Sequence, residues 1–303
     1  MTVDRRLLAG DGHPRPNPWW QISAEIGKVR TTRLARWLLV GVVLATGWAL
    51  LRNGVGHHYD LYPQLDRLSA HDRAQALATQ AHARTYAGQA AIAADMVTSG
   101  QVIGGMLAML LGILIVTNEH AHQTATATFL TNPRRVAVIV AKSAAAAAFG
   151  VLFWLVSTAI NIVVTGVYER SQHFNVALTD WIPVRSALLN LLAFVMWAIF
   201  GIGLGTLFRG QVAAVSTGLL VYAGGAAAVA VVFGLLNQLI HQTWILAAPV
   251  VAPAVAALVM ITPGQAYDHA PPQWAGLLVM VGYVAVFGTV GVIRIRSAEI
   301  GSG

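Results

Sequence analysis

Six apolar runs, each close to the length of a membrane-crossing helix, restrict what this chain can fold into more than any other feature. A helix that rises about 1.5 Å per residue needs about 20 residues to cross roughly 30 Å of hydrocarbon. The runs lie near 36–52, 97–117, 139–165, 186–207, 212–236 and 274–293. Only 10% of the 303 residues are charged, whereas 56% are hydrophobic, a balance typical of chains whose solvent is largely lipid. The sequence therefore predicts an all-α integral membrane protein with a transmembrane domain of six helices over 36–293.

A seventh apolar run, at 245–261, contains Pro249 and Pro253. Both prolines would break helical hydrogen bonds if this run crossed the bilayer as a straight helix. With six spans, 13 of the 19 Lys and Arg residues fall on the side of the two termini, which the positive-inside rule places in the cytoplasm. We therefore expect a multi-pass protein of the cell membrane with both termini cytoplasmic. Residues 241–272 are then expected to form a re-entrant helical hairpin on the outer side.

The segments outside the spans divide the chain further. Residues 1–16 are expected to be a flexible cytoplasmic N-terminus without a cleavable signal, so that the mature chain starts at Met1, and 294–303 a cytoplasmic C-terminus. The outer loop 53–96 contains nearly all of an Ala-rich stretch at 67–97, which predicts a helix or a helical pair above the membrane. The third and fifth spans are rich in Ala, Gly and Ser and are expected to face other helices.

Residues 17–35 predict an amphipathic helix that lies in the headgroup layer on the cytoplasmic side. Apolar side chains recur at approximate helical spacing, and cations lie among them. The apolar stripe consists of Trp19, Trp20, Ile22, Ile26 and Val29, and the cations are Lys28, Arg30 and Arg33. The alternative interpretation is a basic flank that only sets the topology.

The sequence lacks the common catalytic motifs. Neither of its lysines, Lys28 and Lys142, ends the G-x-x-x-x-G-K-[ST] loop that binds ATP phosphates. H-E-x-x-H and G-x-S-x-G are missing as well, so we expect the chain not to be an enzyme by itself. The histidine pairs have no well-spaced third ligand and there is no cysteine, which disfavours a metal site.

The predicted spans carry no Asp or Glu away from their ends, whereas ion-coupled carriers place ionisable groups at membrane depth. Their milder polar residues predict hydrogen bonds between helices. These residues are Gln101, Ser157, Asn161, Asn190 and Ser216. If the chain transports a compound, the energy should come from another polypeptide.

Two polar segments resemble motifs of the type 2 exporter permease family, the membrane subunits of ATP-binding-cassette (ABC) exporters. In AEIGKVRTTRLARWLL, Glu25, Lys28 and Thr31 fit a Glu-x-x-Lys-x-x-[Thr/Ser] pattern. The second segment, GILIVTNEHAHQTATATFLTNPRRVAVIVAK, follows one span later. Its matching residues are Glu119, Thr124, Pro133, Arg134, Arg135 and Lys142. It departs from the family pattern at His120, where Tyr is usual, and at Gln123, where Gly is usual.

The resemblance implies a permease that works with separate ABC ATPase subunits and a second permease subunit, as a homodimer or a heterodimer. The cytoplasmic loop 118–138 would form a coupling helix that docks on the ATPase. Expected site residues are Glu119, His122, Thr124, Pro133, Arg134 and Arg135 in this loop, and Trp19, Trp20, Glu25, Lys28 and Thr31 in the interfacial helix. The alternative interpretation is a solvated loop whose arginines only obey the positive-inside rule.

The expected function is export of an amphipathic or hydrophobic compound, such as a drug, an antibiotic or a lipid-like molecule, from the cytoplasm or the inner leaflet. A cavity lined by uncharged side chains favours such compounds over ions or sugars. ATP and Mg would bind to the partner ATPase, and we expect this chain to hold no cofactor or metal and to contact membrane lipids rather than nucleic acid. A non-transporting anchor or signalling module that recruits an ATPase is compatible with the same motifs.

Overall fold

The computed structural model describes residues 18–121, 135–175, 178–208, 210–267 and 269–300. All regular secondary structure in these ranges is helical. The α-helices there are α1 (Pro18–Thr31), α2 (Arg33–Leu61), α3 (Ala70–Ala83), α4 (Tyr86–Val97), α5 (Gln101–Ala121), α6 (Arg135–Ser171), α7 (Trp181–Leu207), α8 (Gln211–Leu219), α9 (Gly225–Ile240), α10 (Thr243–Ala247), α11 (Pro253–Ile261) and α12 (Gln273–Ile300). A π-helical turn at Leu220–Gly224 joins α8 to α9, and short 3₁₀ turns occupy Leu65–Arg67 and Ala248–Val251.

Within the described ranges, six helical segments are long and apolar enough to cross a membrane, so the chain is a multi-pass membrane protein, as predicted. They are Arg33–Leu61, Tyr86–Asn118, Val136–Ser171, Trp181–Leu207, Gln211–Ile240 and Gln273–Arg294. The first two are longer than the apolar runs in the sequence. The first continues past Arg52 to Leu61, and the second begins at Tyr86 because α4 runs into α5 with only a short break.

The second and fourth spans form the centre of the bundle, where α5 packs directly on α7. A Cβ at Gly112 would overlap the carbonyl oxygen of Ala198, and a Cβ at Gly201 would overlap that of Met109. Small residues of this kind let helix backbones approach closely in a membrane. Fully buried aromatic side chains pack around this contact, among them Phe153, Phe194, Trp197 and Phe200.

The third and fifth spans differ in how much of their surface the chain itself covers. In the most apolar part of each span, 50% of the residues of α6 are buried but only 6% of those of α8 and α9. The expectation that the fifth span faces other helices is therefore wrong within a single chain. Its composition indicates a surface suited to close packing, but composition carries no information about which helix, or which subunit, provides the partner.

The second span is broken between α4 and α5. Gly100 has a φ of +84°, and a Cβ there would lie 2.8 Å from the Cα of Thr46, near the midpoint of α2. Backbone groups left unpaired by a break at this depth need other partners, because lipid offers none. Asn161 Nδ2 of α6 donates to the carbonyl oxygens of Val97 and Ser99, at 2.9 and 3.0 Å. Asn161 therefore makes the interhelical hydrogen bonds that the sequence predicts.

The seventh apolar run is bent by 106° between Trp244–Val251 and Pro253–Ile261, where the prolines predict a break. Pro253 opens α11, a position at which its missing N–H removes no helical hydrogen bond. Tyr283 of α12 donates to the Val251 carbonyl at 3.1 Å, and Gln273, the first residue of α12, donates to the Thr262 carbonyl at 2.9 Å. The bend therefore packs beside α12, and Thr262, just after α11, lies next to the first residue of α12.

The bundle has two ends, which we name by their helices. The α1 end carries α1 and the start of α6, which are joined through Glu25 and Lys142. The α3 end carries α3 and the starts of α4 and α7, where the Tyr86 hydroxyl donates to Asp180 Oδ2 at 2.8 Å.

Candidate functional site

The candidate site lies at the α1 end, where α1 packs against α6 and faces α5 across a cavity. One face of α1 turns toward the bundle: Ile22 and Ile26 are half-buried, and Glu25 and Val29 are buried. Positions spaced by three or four residues form one stripe along a helix. A carboxylate therefore stands in the middle of an otherwise apolar stripe.

Two lysines hold Glu25 in this position. Glu25 Oε2 accepts from Lys142 Nζ of α6 at 2.9 Å, and Oε1 accepts from Lys28 Nζ at 2.7 Å. The Lys142 side chain is 6% exposed and that of Lys28 is 52% exposed, so the first ion pair is buried and the second lies at the edge. Charge-assisted hydrogen bonds of this kind fix orientation as well as adding attraction. The buried ammonium of Lys142 thus has the counter-charge that its location requires.

The electrostatics of the cluster keep Glu25 ionised. Burial by itself raises the pKa of this carboxyl group, but the attraction and hydrogen bonds of Lys142 and Lys28 together outweigh it. The pKa of Glu25 consequently lies below its usual value. Both ion pairs are therefore formed at neutral pH.

The helix α1 also covers a cavity of about 90 Å³ beside α5. The wall from α1 includes Glu25, Lys28 and Val29, and the wall from α5 includes Leu111 and Asn118. A cavity of this volume with charged groups in its wall has room for water molecules, each of which needs about 10–15 Å³. Of the two helices that flank the segment 122–134, α1 contacts α6 through the Glu25–Lys142 pair and faces α5 across this cavity.

The predicted residues of the interfacial helix take two different positions. Glu25 and Lys28 form the ion-pair cluster. Trp19 and Trp20, at the start of α1, are 74% and 76% exposed, so they do not share the buried stripe with Ile22, Ile26 and Val29. The exposed Thr31 side chain donates to the Lys28 carbonyl of its own helix at 2.8 Å.

The predicted coupling loop lies mostly outside the described residues. Glu119 belongs to the last turn of α5 and Arg135 is the first residue of α6, while their side chains fall outside the described part. His122, Thr124, Pro133 and Arg134 also lie outside the described residues. The structure does show the two helix ends that this loop joins, both next to α1.

The pairing of Glu25 with Lys142 went unrecognised in the sequence, although each residue matched one of the two motifs. The sequence nevertheless contains a signal for this ion pair. An acid on the apolar stripe of one helix and a lysine just inside an apolar span both need a buried partner of opposite charge. The sequence shows two such residues, but their contact is a tertiary property.

Asp95 is a second charged residue with a close side-chain contact, away from the α1 end. Its expected position is the outer loop 53–96, and the structure places it in α4, where its Oδ2 is 2.9 Å from His57 Nε2. The apolar segment Tyr86–Asn118 is longer than one crossing needs and contains the whole run 97–117, so the expectation of spans without internal acids stays a prediction.

Comparison with known proteins assigns no family to this chain. No protein-family model matches the sequence, and no curated protein is significantly similar to it. The functional interpretation therefore rests on the motif residues and on the contacts between them.

Proposed function

We propose that this chain is the membrane-spanning permease subunit of an ATP-driven ABC exporter. It moves an amphipathic or hydrophobic compound, of the drug, antibiotic or lipid-like class, out of the cytoplasm or the inner leaflet. A separate ATPase subunit supplies the energy and binds ATP and Mg, because neither Lys28 nor Lys142 stands in a phosphate-binding glycine loop.

The observation that carries the proposal is the contact between the two motif segments. Glu25 and Lys28 come from the first segment and Lys142 from the second, 117 residues after Glu25, yet the three side chains form one cluster. A basic flank that only sets topology needs charge near the membrane, not a buried hydrogen bond to another span. The contact supports a mechanical role for α1 together with α5 and α6.

In the proposed mechanism, the loop between α5 and α6 docks on the ATPase. Movement of the ATPase surface during the ATP cycle displaces the adjoining ends of α5 and α6, and the Glu25–Lys142 pair makes α1 follow. Because α5 packs directly on α7, a tilt of α5 is passed to the centre of the bundle. The transported compound then passes between two membrane subunits by alternating access.

A second membrane subunit, identical or different, packs on the fifth span. Small side chains that favour close helix approach are exposed along α8 and α9, and positions Gly225 and Gly234 have nothing within 4 Å of where a Cβ would stand. This surface supports an interface between subunits.

The α1 end faces the cytoplasm in this proposal. Most of the cations in the sequence lie on that side, and the exposed Trp19 and Trp20 suit a helix in the headgroup layer. The bent pair Trp244–Val251 and Pro253–Ile261 is then a re-entrant hairpin that enters from the outer side and returns to it.

Substitutions in the coupling loop test the proposal. In the double variant Glu119→Ala/Arg134→Ala, we expect weaker copurification of the ATPase, or intact assembly with ATP turnover uncoupled from export. Truncating one partner of a desolvated charge pair costs about 2–5 kcal/mol. Membrane insertion should change little, because Arg135, Lys142 and the basic N-terminus still set the topology.

The matched control is Arg67→Ala/Arg84→Ala, which removes two charges from the other side of the membrane and should spare both assembly and coupling. If the loop variant exports and stimulates ATP hydrolysis like the parent at equal membrane abundance, the loop is a solvated turn and the proposal fails. In reconstituted vesicles, ATPase recruitment without solute movement would identify a non-transporting anchor instead.

A further inference from the structure

A pocket of about 350 Å³ lies between α2, the break in the second span and α11. Its wall includes Arg52 and Asn53 of α2, residues 98–103 of the break and the first turn of α5, and Leu258 and Ile261 of α11. Its volume falls in the range of small-ligand sites. Arg52 is about 30 Å along α2 from Thr32, which lines the cavity under α1, so the two places are distinct.

The break places the N-terminus of α5 beside this pocket. The N–H groups of Gln101 and Gly104 are bonded to the carbonyl oxygens of Thr98 and Gly100. The first turn also contains the N–H groups of Val102 and Ile103, and both residues line the pocket. The first N–H groups of a helix have no acceptor within the helix, and together with the helix dipole they attract anions.

Gln101 provides an independent indication of a ligand. The residue lines the pocket, is only 3% exposed, and its Nε2 has no hydrogen-bond partner among the described residues. Leaving a buried polar group without a partner is costly, particularly within a membrane span. A bound group with acceptor oxygens would supply the missing partner.

Arg52 adds a full positive charge to the same wall. In the part of the chain that the structure describes, its guanidinium forms no salt bridge and no hydrogen bond, and its side chain is exposed. A guanidinium forms two parallel hydrogen bonds to a carboxylate or a phosphate. Arg52 is therefore available to bind such a group.

The acid in the described pocket wall, Asp95, is engaged by another residue. Its Oδ2 lies 2.9 Å from His57 Nε2, and Asp60 Oδ2 lies 3.5 Å from Nδ1 of the same ring. Both carboxylates thus share His57. The pocket wall retains Arg52, Gln101 and the α5 N-terminus as groups that favour an anion.

The wall also carries exposed apolar side chains, beside the uncharged polar residues Asn53, Thr98, Ser99 and Thr262. Trp48 of α2 is 64% exposed, Val102 of α5 is 54% exposed, and Leu258 of α11 is 37% exposed. Exposed apolar side chains of helices within a bilayer face lipid chains wherever no second subunit covers them. A ligand can therefore reach this pocket sideways from the bilayer, with its apolar part along these three residues.

We propose that this pocket binds an amphiphile with one anionic head group, a carboxylate or a phosphate. Arg52, Gln101 and the N-terminus of α5 bind the head group, and Trp48, Val102 and Leu258 contact the apolar chain. Two sources share this chemistry: an anionic phospholipid of the membrane, and a single-chain acid dissolved in it. Binding is a property of this chain alone and does not depend on the proposed export function.

Binding of dansyl-labelled undecanoate to the purified chain, in an uncharged detergent, tests this proposal. We expect saturable binding, detected by energy transfer from tryptophan to the dansyl group. The methyl ester of the same probe lacks the charge and should bind about tenfold more weakly. Arg52→Gln should weaken binding of the acid by about tenfold and leave binding of the ester unchanged.

Gln101→Leu separates a ligand contact from a structural role. The substitution removes the unpaired amide, so the Tm of the unliganded chain should stay equal or rise, while the affinity for the acid falls. The matched control is Arg170→Gln, near the end of α6, which removes the same charge outside the pocket wall and should bind the acid like the parent.

Competition identifies the source of the ligand. Displacement of the probe by phosphatidylglycerol indicates a membrane lipid, and displacement by laurate indicates a single-chain acid. Displacement by neither, equal binding of acid and ester, or unchanged affinity in Arg52→Gln would overturn the proposal.

Discussion

Glu25 lies on the apolar stripe of α1 because Lys142 and Lys28 provide its counter-charges. A buried ion pair gains attraction but loses hydration, so its net contribution to stability is small. Removing one partner is different, because the other charge stays buried without compensation and the loss is about 3–5 kcal/mol. We therefore expect the Glu25–Lys142 pair to fix the position of α1 on α6 more than to strengthen the fold.

A double-mutant cycle tests this expectation. Lys142→Met and Glu25→Leu should each lower the Tm of the purified chain, and Glu25→Leu/Lys142→Met should recover most of the loss, because no unpaired charge remains buried. Lys28→Met is the matched control: its side chain is half-exposed, and exposed pairs contribute at most about 1 kcal/mol. A double variant that is no more stable than either single variant would show that the two charges act independently.

The lowered pKa of Glu25 predicts a pH dependence in the acid range. Because folding lowers this pKa, the ion pairs contribute fully above the ordinary carboxyl pKa of 4.5, and the contribution is lost as pH falls through the lower folded value. Fluorescence of Trp19 and Trp20 should therefore report release of α1 only at pH values below 4.5, and not between pH 5 and 8. Glu25→Gln should remove this acid transition, and a transition of equal size in that variant would assign it to another group.

At the scale of helices, the break in the second span is stabilised by residues of two other helices, α2 and α6. The break between α4 and α5 stands against the middle of α2, and its free carbonyl groups are bonded by Asn161 of α6. Ser99 Oγ accepts a further hydrogen bond from Asn53 Nδ2 of α2 at 3.0 Å. Backbone that is not helical is tolerated at membrane depth only where neighbouring protein groups satisfy it in this way.

Gly100→Ala tests whether this break requires glycine. Its φ of +84° is strained for an L-residue, and a Cβ would stand 2.8 Å from the Thr46 Cα, so we expect a loss of about 1–3 kcal/mol. Gly47→Ala is the matched control, because Gly47 adjoins Thr46 on α2 and has open space where a Cβ would stand. Thermal unfolding in detergent should show a lower Tm for the first variant only. An unchanged Tm for Gly100→Ala would show that the break can shift without cost.

For the whole molecule, the course of the chain between the fifth and sixth spans decides the topology. The bent pair of helices brings Thr262 back to Gln273, at the start of α12, by a 2.9 Å hydrogen bond. Pro249 and Pro253 interrupt the helical hydrogen bonds that a straight crossing would need. A segment that enters and leaves on one side therefore stays the prediction for this part of the chain.

Reporter fusions test this topology. A reporter fused after Gly264 should read as outside the cell, and one fused after Ile300 should read as cytoplasmic. The segment 263–273 has no Lys or Arg, whereas Arg294 and Arg296 follow the last span. The fusion after Ile300 is also the control for insertion, and a cytoplasmic signal at Gly264 would contradict a chain with six crossings.

The amino-acid sequence by itself determined the features that depend on local composition. Six spans were predictable because each needs only enough consecutive apolar residues to match the hydrocarbon thickness. The bend at Val251–Pro253 was predictable because proline removes its own backbone donor. Glu25, Lys28 and Lys142 could be singled out as polar residues that needed an explanation.

Only the tertiary structure decided which of these residues meet. Glu25 and Lys142 are 117 residues apart, and no local pattern specifies their contact. The break at Gly100 depends on Thr46 and Asn161, which belong to two other spans. The physical reason is that membrane burial sets the length of a helix locally, whereas a buried charge or an open backbone group is satisfied by its neighbours in space.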